Sequence, residues 1–238
     1  MNAAAAKHVG ARLLGEVEEG SLEELLESLK TSLTGGNSST LRPEIPIPAL
    51  ANIATRYYKA THSAPPPILS ISGRYLPLLY HLVSTLIAEP HNYTIVIVDA
   101  ESRFDVTRLV SSPSTSNPSH PAQPPDLRHV YVYRPARGQE QIRAAVEAAG
   151  EYMLYGSHGS RAQEWWGTVV IGGGINVRAE VKAGWKGWLA VQREEVNGFP
   201  AGISVEEALR DRNARQEVVD GAGWVAKSRV GAYVWKDV

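Results

Sequence analysis

The chain has 238 residues, 43% of them hydrophobic, enough to bury one sizeable core. With 24 Lys and Arg against 25 Asp and Glu there is no global basic field, so any contact with nucleic acid must come from a local patch. The absence of cysteine excludes disulfides, thiolate zinc sites and cysteine nucleophiles, and no apolar run approaches the roughly 18 residues of a membrane span, so the chain reads as soluble and intracellular.

In chain order, Ser21 and Glu24 form a capping-box pattern, and Leu22, Leu25, Leu26 and Leu29 then fall on one helical face until Gly35-Gly36 stops the helix. That stripe must be covered, either by the chain itself or by a partner subunit. Residues 37–67 are rich in Ser and Pro, with only 49–60 reading as helical, and are expected to be a linker or extended strap. Residues 1–67 are therefore set apart from a core domain over 68–238.

Strands and helices alternate after Pro65-Pro66-Pro67. The expected strands are 68–72, 94–99, 128–133, 167–171, 187–192 and 230–235; the expected helices are 76–88, 103–110, 139–155 and 205–220. Such alternation predicts an α/β fold, a mostly parallel sheet with helices on both faces, and the stretch around 225–234 predicts an antiparallel hairpin at its C-terminal edge. Residues 111–126 hold five prolines and several serines, a composition expected to form a disordered insertion.

The most informative strand is the β-branched run Ile95-Val96-Ile97-Val98, which ends in Asp99 and Glu101; ligands collect at such carboxyl edges of parallel sheets. A glycine loop of dinucleotide type is missing after the first strand, and Gly172-Gly173-Gly174 reads as a flexible turn. The seven histidines show no metal-ligand spacing, and Ser157-His158 lacks the surroundings of a nucleophile elbow.

Asp99, Glu101, Phe104, Arg108 and Leu109 follow a pattern that resembles the second core strand and following helix of the eukaryotic RecA-like recombinase paralogues. Leu78-Leu79-Tyr80-His81-Leu82 looks like the helix after the phosphate loop in the X-ray repair cross-complementing protein 2 type of paralogue, and residues 10–22 are a weaker echo of the same type. The resemblance spans roughly 68–171 and implies a RecA-like sheet.

In that fold the first strand should run into a Gly-Lys-Ser/Thr loop that cradles phosphates. Here the position reads Gly73-Arg74-Tyr75-Leu76, with no Lys-Ser/Thr pair, and Val169-Val170-Ile171 runs into glycine where a magnesium-holding Asp should stand. The resemblance therefore implies a non-catalytic subunit with no cofactor and no catalytic residues. It would serve a mediator complex that supports recombinase filaments on single-stranded DNA in homologous recombination repair, in the nucleus or also the cytoplasm. A sister paralogue or a Shu-type zinc-containing protein is the implied partner.

RecA-like proteins present loops from the later strands to DNA, and the matching segment is 172–187, where Arg178, Lys182 and Lys186 could meet phosphates and Trp185 could stack on a base, with Trp188 nearby. Arg134, Arg137 and Arg143 form a second basic set after the third strand. Two other readings stay open: a RecA-like pseudo-ATPase scaffold of Elongator type, and a Rossmann-type enzyme using Asp99 or Glu101 on a ribose.

Overall fold

In a computed structural model of the chain, the described residues are 44–62, 68–111, 121–172, 177–196, 202, 204–210 and 212–236. They build α1 (Pro48–Thr61), β1 (Leu69–Gly73), α2 (Leu76–Ile87), β2 (Thr94–Asp99), α3 (Arg108–Ser111), a 3-10 turn (Pro124–His129), β3 (Val130–Tyr133), α4 (Gln139–Tyr155) and β4 (Trp165–Ile171). Then follow β5 (Val181–Gly184), β6 (Leu189–Arg193), α5 (Val205–Arg210), α6 (Arg212–Asp220), β7 (Trp224–Ser228) and β8 (Gly231–Trp235). The proposed docking leucines Leu22, Leu25, Leu26 and Leu29 lie outside the described residues.

One sheet of eight strands runs in the order β3-β2-β4-β5-β1-β6-β7-β8. All pairs are parallel as far as β6, and β7 and β8 are added antiparallel, so the architecture is the α/β, RecA-like layout with a C-terminal edge hairpin. β2 is buried at all six positions, because its run of β-branched residues has a core on each side. Leu69, Ile71, Ile95, Ile97, Ile171 and Val181 face one core with α1 and α2; Val96, Val98 and Val170 face the other with Ile142, Ala149 and Met153 of α4. α2 is buried at every residue from Leu78 to Ile87, as expected of a helix apolar all round. No helix among the described residues is long and apolar enough to cross a membrane.

Four boundaries differ from expectation. Ile45 and Ile47 are buried, Trp166 donates its indole N–H to the Glu44 carbonyl at 2.8 Å, and Leu50 and Ile53 of α1 enter the core, so the core begins at Glu44 and not at residue 68. Of the expected insertion over 111–126, residues 112–120 lie outside the described residues, and its C-terminal end is ordered: Ala122 is buried and Gln123 and Asp126 cap the 3-10 turn reciprocally. The helix expected from Arg103 starts only at Arg108, because side-chain oxygens capture the backbone first. Asp99 accepts from the N–H of Glu101 (3.1 Å) and of Phe104 (2.7 Å), and Asp105 accepts from the N–H of Thr107 (3.0 Å).

The fourth difference matters most for function. Residues 172–187 are not a free loop, since Val181–Gly184 form β5 in the middle of the sheet, paired with β4 and β1. Lys182 and Gly184 hide this strand from a hydrophobicity pattern; neighbours on both sides supply the hydrogen bonds that a four-residue segment could not hold alone.

Candidate functional site

The carboxyl edge of the sheet brings together the ends of β1, β2, β4 and β5. At β1 only Arg74 and Tyr75 separate the strand from α2, so the turn is far too short to encircle a phosphate. Gly73 is required there: its φ is +77°, a Cβ would collide with the Val191 carbonyl, and the Arg74 N–H donates to that same carbonyl at 2.8 Å. The first turn of α2 is poor in anion donors as well, because Pro77 lacks an N–H.

Tyr75 fills the space that a longer loop would have enclosed. Its side chain is buried and its hydroxyl donates to Glu101 Oε2 at 2.6 Å. Arg103 Nη1 donates to the same carboxylate oxygen at 3.2 Å and approaches the Tyr75 hydroxyl at 3.4 Å, with its guanidinium 5.7 Å from the tyrosine ring centre. Burial, followed by the bond to Glu101, pushes the Tyr75 phenol well above its ordinary range, so it stays a neutral donor; the same carboxylate raises Arg103. Gly73, Arg74, Tyr75 and Leu76, which stand where the resemblance would put a phosphate loop, form a tight turn latched to the β2 loop.

The other two carboxylate positions are also committed to structure. Asp99 is 0% exposed and spends both oxygens on backbone N–H groups, so it is a turn-former and is not presented to a ligand. β4 ends at Ile171 and runs directly into Gly172 in place of an acidic residue; the φ of +73° at Gly172 lets the chain pass beside the Glu101 side chain.

Between β2, β4 and the start of α4 lies an open cleft of about 470 Å³ lined by Ala100, Glu101, Arg103, Arg137, Gly138 and Gly172. Arg134, one strand end away, donates to the Phe104 carbonyl at 3.1 Å and so ties the β3–α4 loop to the β2 loop. The sequence pointed to Arg137 only as one of a basic set after the third strand; its convergence with Arg103 depends on strand order.

The proposed DNA-contact residues are dispersed. Arg178 is exposed in the crossover before β5, between the buried Val177 and Ala179. Lys182 is half-buried within β5, where burial lowers its pKa. Trp185 and Lys186 do remain together at the carboxyl end of β5: the indole is 82% exposed and the Lys186 ammonium sits 4.1 Å from its ring centre. Trp188 stacks instead on Tyr57 of α1, at 4.3 Å and 11°, and belongs to the core.

Two histidine clusters went unnoticed in the sequence because their members are far apart in it. His129 Nδ1 lies 2.7 Å from Ser160 Oγ, a spacing that resembles a nucleophile and base. Arg128 Nε and Gln163 Nε2 both point at His129 Nε2, at 2.8 and 3.0 Å, which makes Nε2 the acceptor and leaves the proton on Nδ1, facing the serine. Ser160 is buried, and the pair braces the segments that lead into β3 and β4. His81 Nε2 meets the Tyr233 hydroxyl at 2.8 Å and stacks with Trp235, pinning the edge hairpin to α2. No group of three His, Asp or Glu among the described residues is placed to hold a metal ion.

A scan against models of known protein families finds no match, and a search of curated proteins finds no significant relative.

Proposed function

We propose that this chain is a non-catalytic, RecA-like subunit of a mediator complex that supports recombinase filaments on single-stranded DNA during homologous recombination repair. One observation carries the reading: the place where a RecA-like core would hold nucleotide is occupied by the Tyr75–Glu101–Arg103 latch, behind a turn of two residues. A chain that keeps the sheet and gives up the phosphate loop retains binding surfaces as its use. The motif from Asp99 to Leu109 supplies the link to recombinase paralogues, with a sister paralogue or a Shu-type partner completing the assembly.

The reading as a dinucleotide enzyme is the weaker one. The strand order is not the 3-2-1-4-5-6 of that fold, and Asp99 is fully buried with both carboxylate oxygens turned to backbone N–H groups, out of reach of a ribose hydroxyl. The deciding experiment adds the purified protein, with its co-purifying partner, to a recombinase and labelled single-stranded DNA and follows filament assembly. Acceleration that persists in the Arg74→Ala variant supports the proposal. No effect on assembly or on filament lifetime would favour a scaffold role outside repair, of the Elongator kind.

A further inference from the structure

Among the cations at the carboxyl edge, Arg137 lines a cleft and has no acidic partner among the described residues. It is exposed and makes no hydrogen bond or ion pair with any described residue, and it immediately precedes Gly138, the N-cap of the 17-residue α4. A cation at that position opposes the helix dipole, so the arrangement is electrostatically unfavourable in the absence of an anion. Gly138 contributes no side-chain cap, and Glu140, the acid in the first turn, lies 4.0 Å from Arg143 and faces that residue.

Arg103 enters the same cleft from a different loop and is paired with Glu101, which also lines the cleft, so Arg137 is the cation there with no acidic partner among the described residues. Two arginines from separate elements line a cavity of about 470 Å³, and the guanidinium offers the planar, forked donors that suit phosphate. That volume lies within the roughly 300–1,000 Å³ of small-ligand sites and exceeds what one bare ion needs. β4 alone separates β2, whose following loop carries Arg103, from β5, which is followed by Trp185 and Lys186, so the two loops leave the same edge two strands apart.

We propose that this cleft is a phosphate site, held by Arg137 and Arg103, that seats one backbone phosphate of a single strand whose neighbouring base stacks on Trp185. The proposal rests on the single-strand reading above and moves its contacts from residues 172–187 to the loops after β2 and β3. The strand is held by charge and by a stacking face, which predicts affinity without base preference.

The test uses the full-length chain, a fluorescent oligo-dT strand and, separately, inorganic phosphate. Arg137→Gln should weaken oligo-dT binding several-fold and lower the log-log salt slope by about 0.7, the share of one phosphate on a single strand. Arg137→Glu should weaken it further, whereas Arg56→Gln on α1, an equal change of charge away from the cleft, should not. Both positions are exposed, so melting temperatures should stay near that of the parent. Oligo-dT binding that is indifferent to Arg137→Glu would overturn the cleft assignment and leave the single-strand reading standing. A phosphate-induced rise in melting temperature that depends on Arg137, without oligo-dT binding, would keep the anion site and remove nucleic acid as its source. Neither response in the parent would overturn both.

Discussion

Tyr75 and Glu101 are joined by a 2.6 Å hydrogen bond that spans from the turn after β1 to the loop after β2. The bond ties the two-residue turn between β1 and α2 to the β2 loop, with the Tyr75 side chain buried between them. Arg103 completes the latch by donating to the same oxygen.

Calorimetry with Mg-ATP is therefore expected to give no binding in the micromolar range, for the parent and for Arg74→Ala alike. A saturable signal lost in Arg74→Ala would revive a divergent nucleotide site. Tyr75→Phe should not create binding either, because the ring still fills the space.

The latch has a measurable share in stability. Tyr75→Phe removes a bond to a partly exposed carboxylate and is expected to cost about 1 kcal/mol, whereas Tyr75→Ala also empties the buried ring and should cost about 3 kcal/mol. Urea unfolding of the two variants checks the ratio. Equal losses would mean that the hydroxyl carries the whole effect and the ring packing little.

Gly73→Ala is expected to be among the most destabilising single changes at this edge. It forces a non-glycine residue to a φ of +77° and drives its Cβ into the Val191 carbonyl, and together these should cost about 2 kcal/mol or more. Thermal unfolding within a degree or two of the parent would show that the β1–β6 contact yields easily.

Acid should destabilise the fold through His81. Burial holds its imidazole down at about 4, below the ordinary 6.5, so between those values the unfolded chain binds the proton and the folded chain does not. Stability is thus unaffected well above pH 6.5, falls as the pH drops through this window, and has lost its full share below pH 4, on the order of 3 kcal/mol. His129, lowered chiefly by burial and then by Arg128, acts in the same direction. His81→Phe should flatten the profile in denaturant titrations between pH 4 and 6.5; an unchanged slope would assign the acid sensitivity elsewhere.

Replacing residues 112–120 by a short Gly-Ser linker should leave the melting temperature within a few degrees, since each doubling of loop length changes closure entropy by only about 0.6 kcal/mol. Carrying the replacement on to residue 126 should cost clearly more, because Ala122 and the Gln123–Asp126 cap would go with it. Equal effects would place the 3-10 turn outside the cooperative fold.

Where local chemistry is strong, the chain announces its own structure. Ile95 to Val98 could only be a strand buried on both faces, α4 begins and ends where its apolar spacing does, and the missing Lys-Ser/Thr pair is visible without coordinates. Each of these depends on residues adjacent in sequence or one helical turn apart. β5 was invisible because its hydrogen bonds come from β4 and β1, and Lys182 at its centre breaks the pattern that would have marked it. The delayed start of α3 likewise depended on the carboxylate of Asp99, whose buried oxygens had to choose between a ligand and the backbone. The latch and the cleft belong wholly to tertiary structure: Tyr75 and Glu101 are 26 residues apart, Arg103 and Arg137 are 34 apart, and only the strand order β3-β2-β4-β5-β1 carries their loops to one edge. Periodicity determines which face of an element is buried, but which loops meet is decided by the crossovers that the sheet requires.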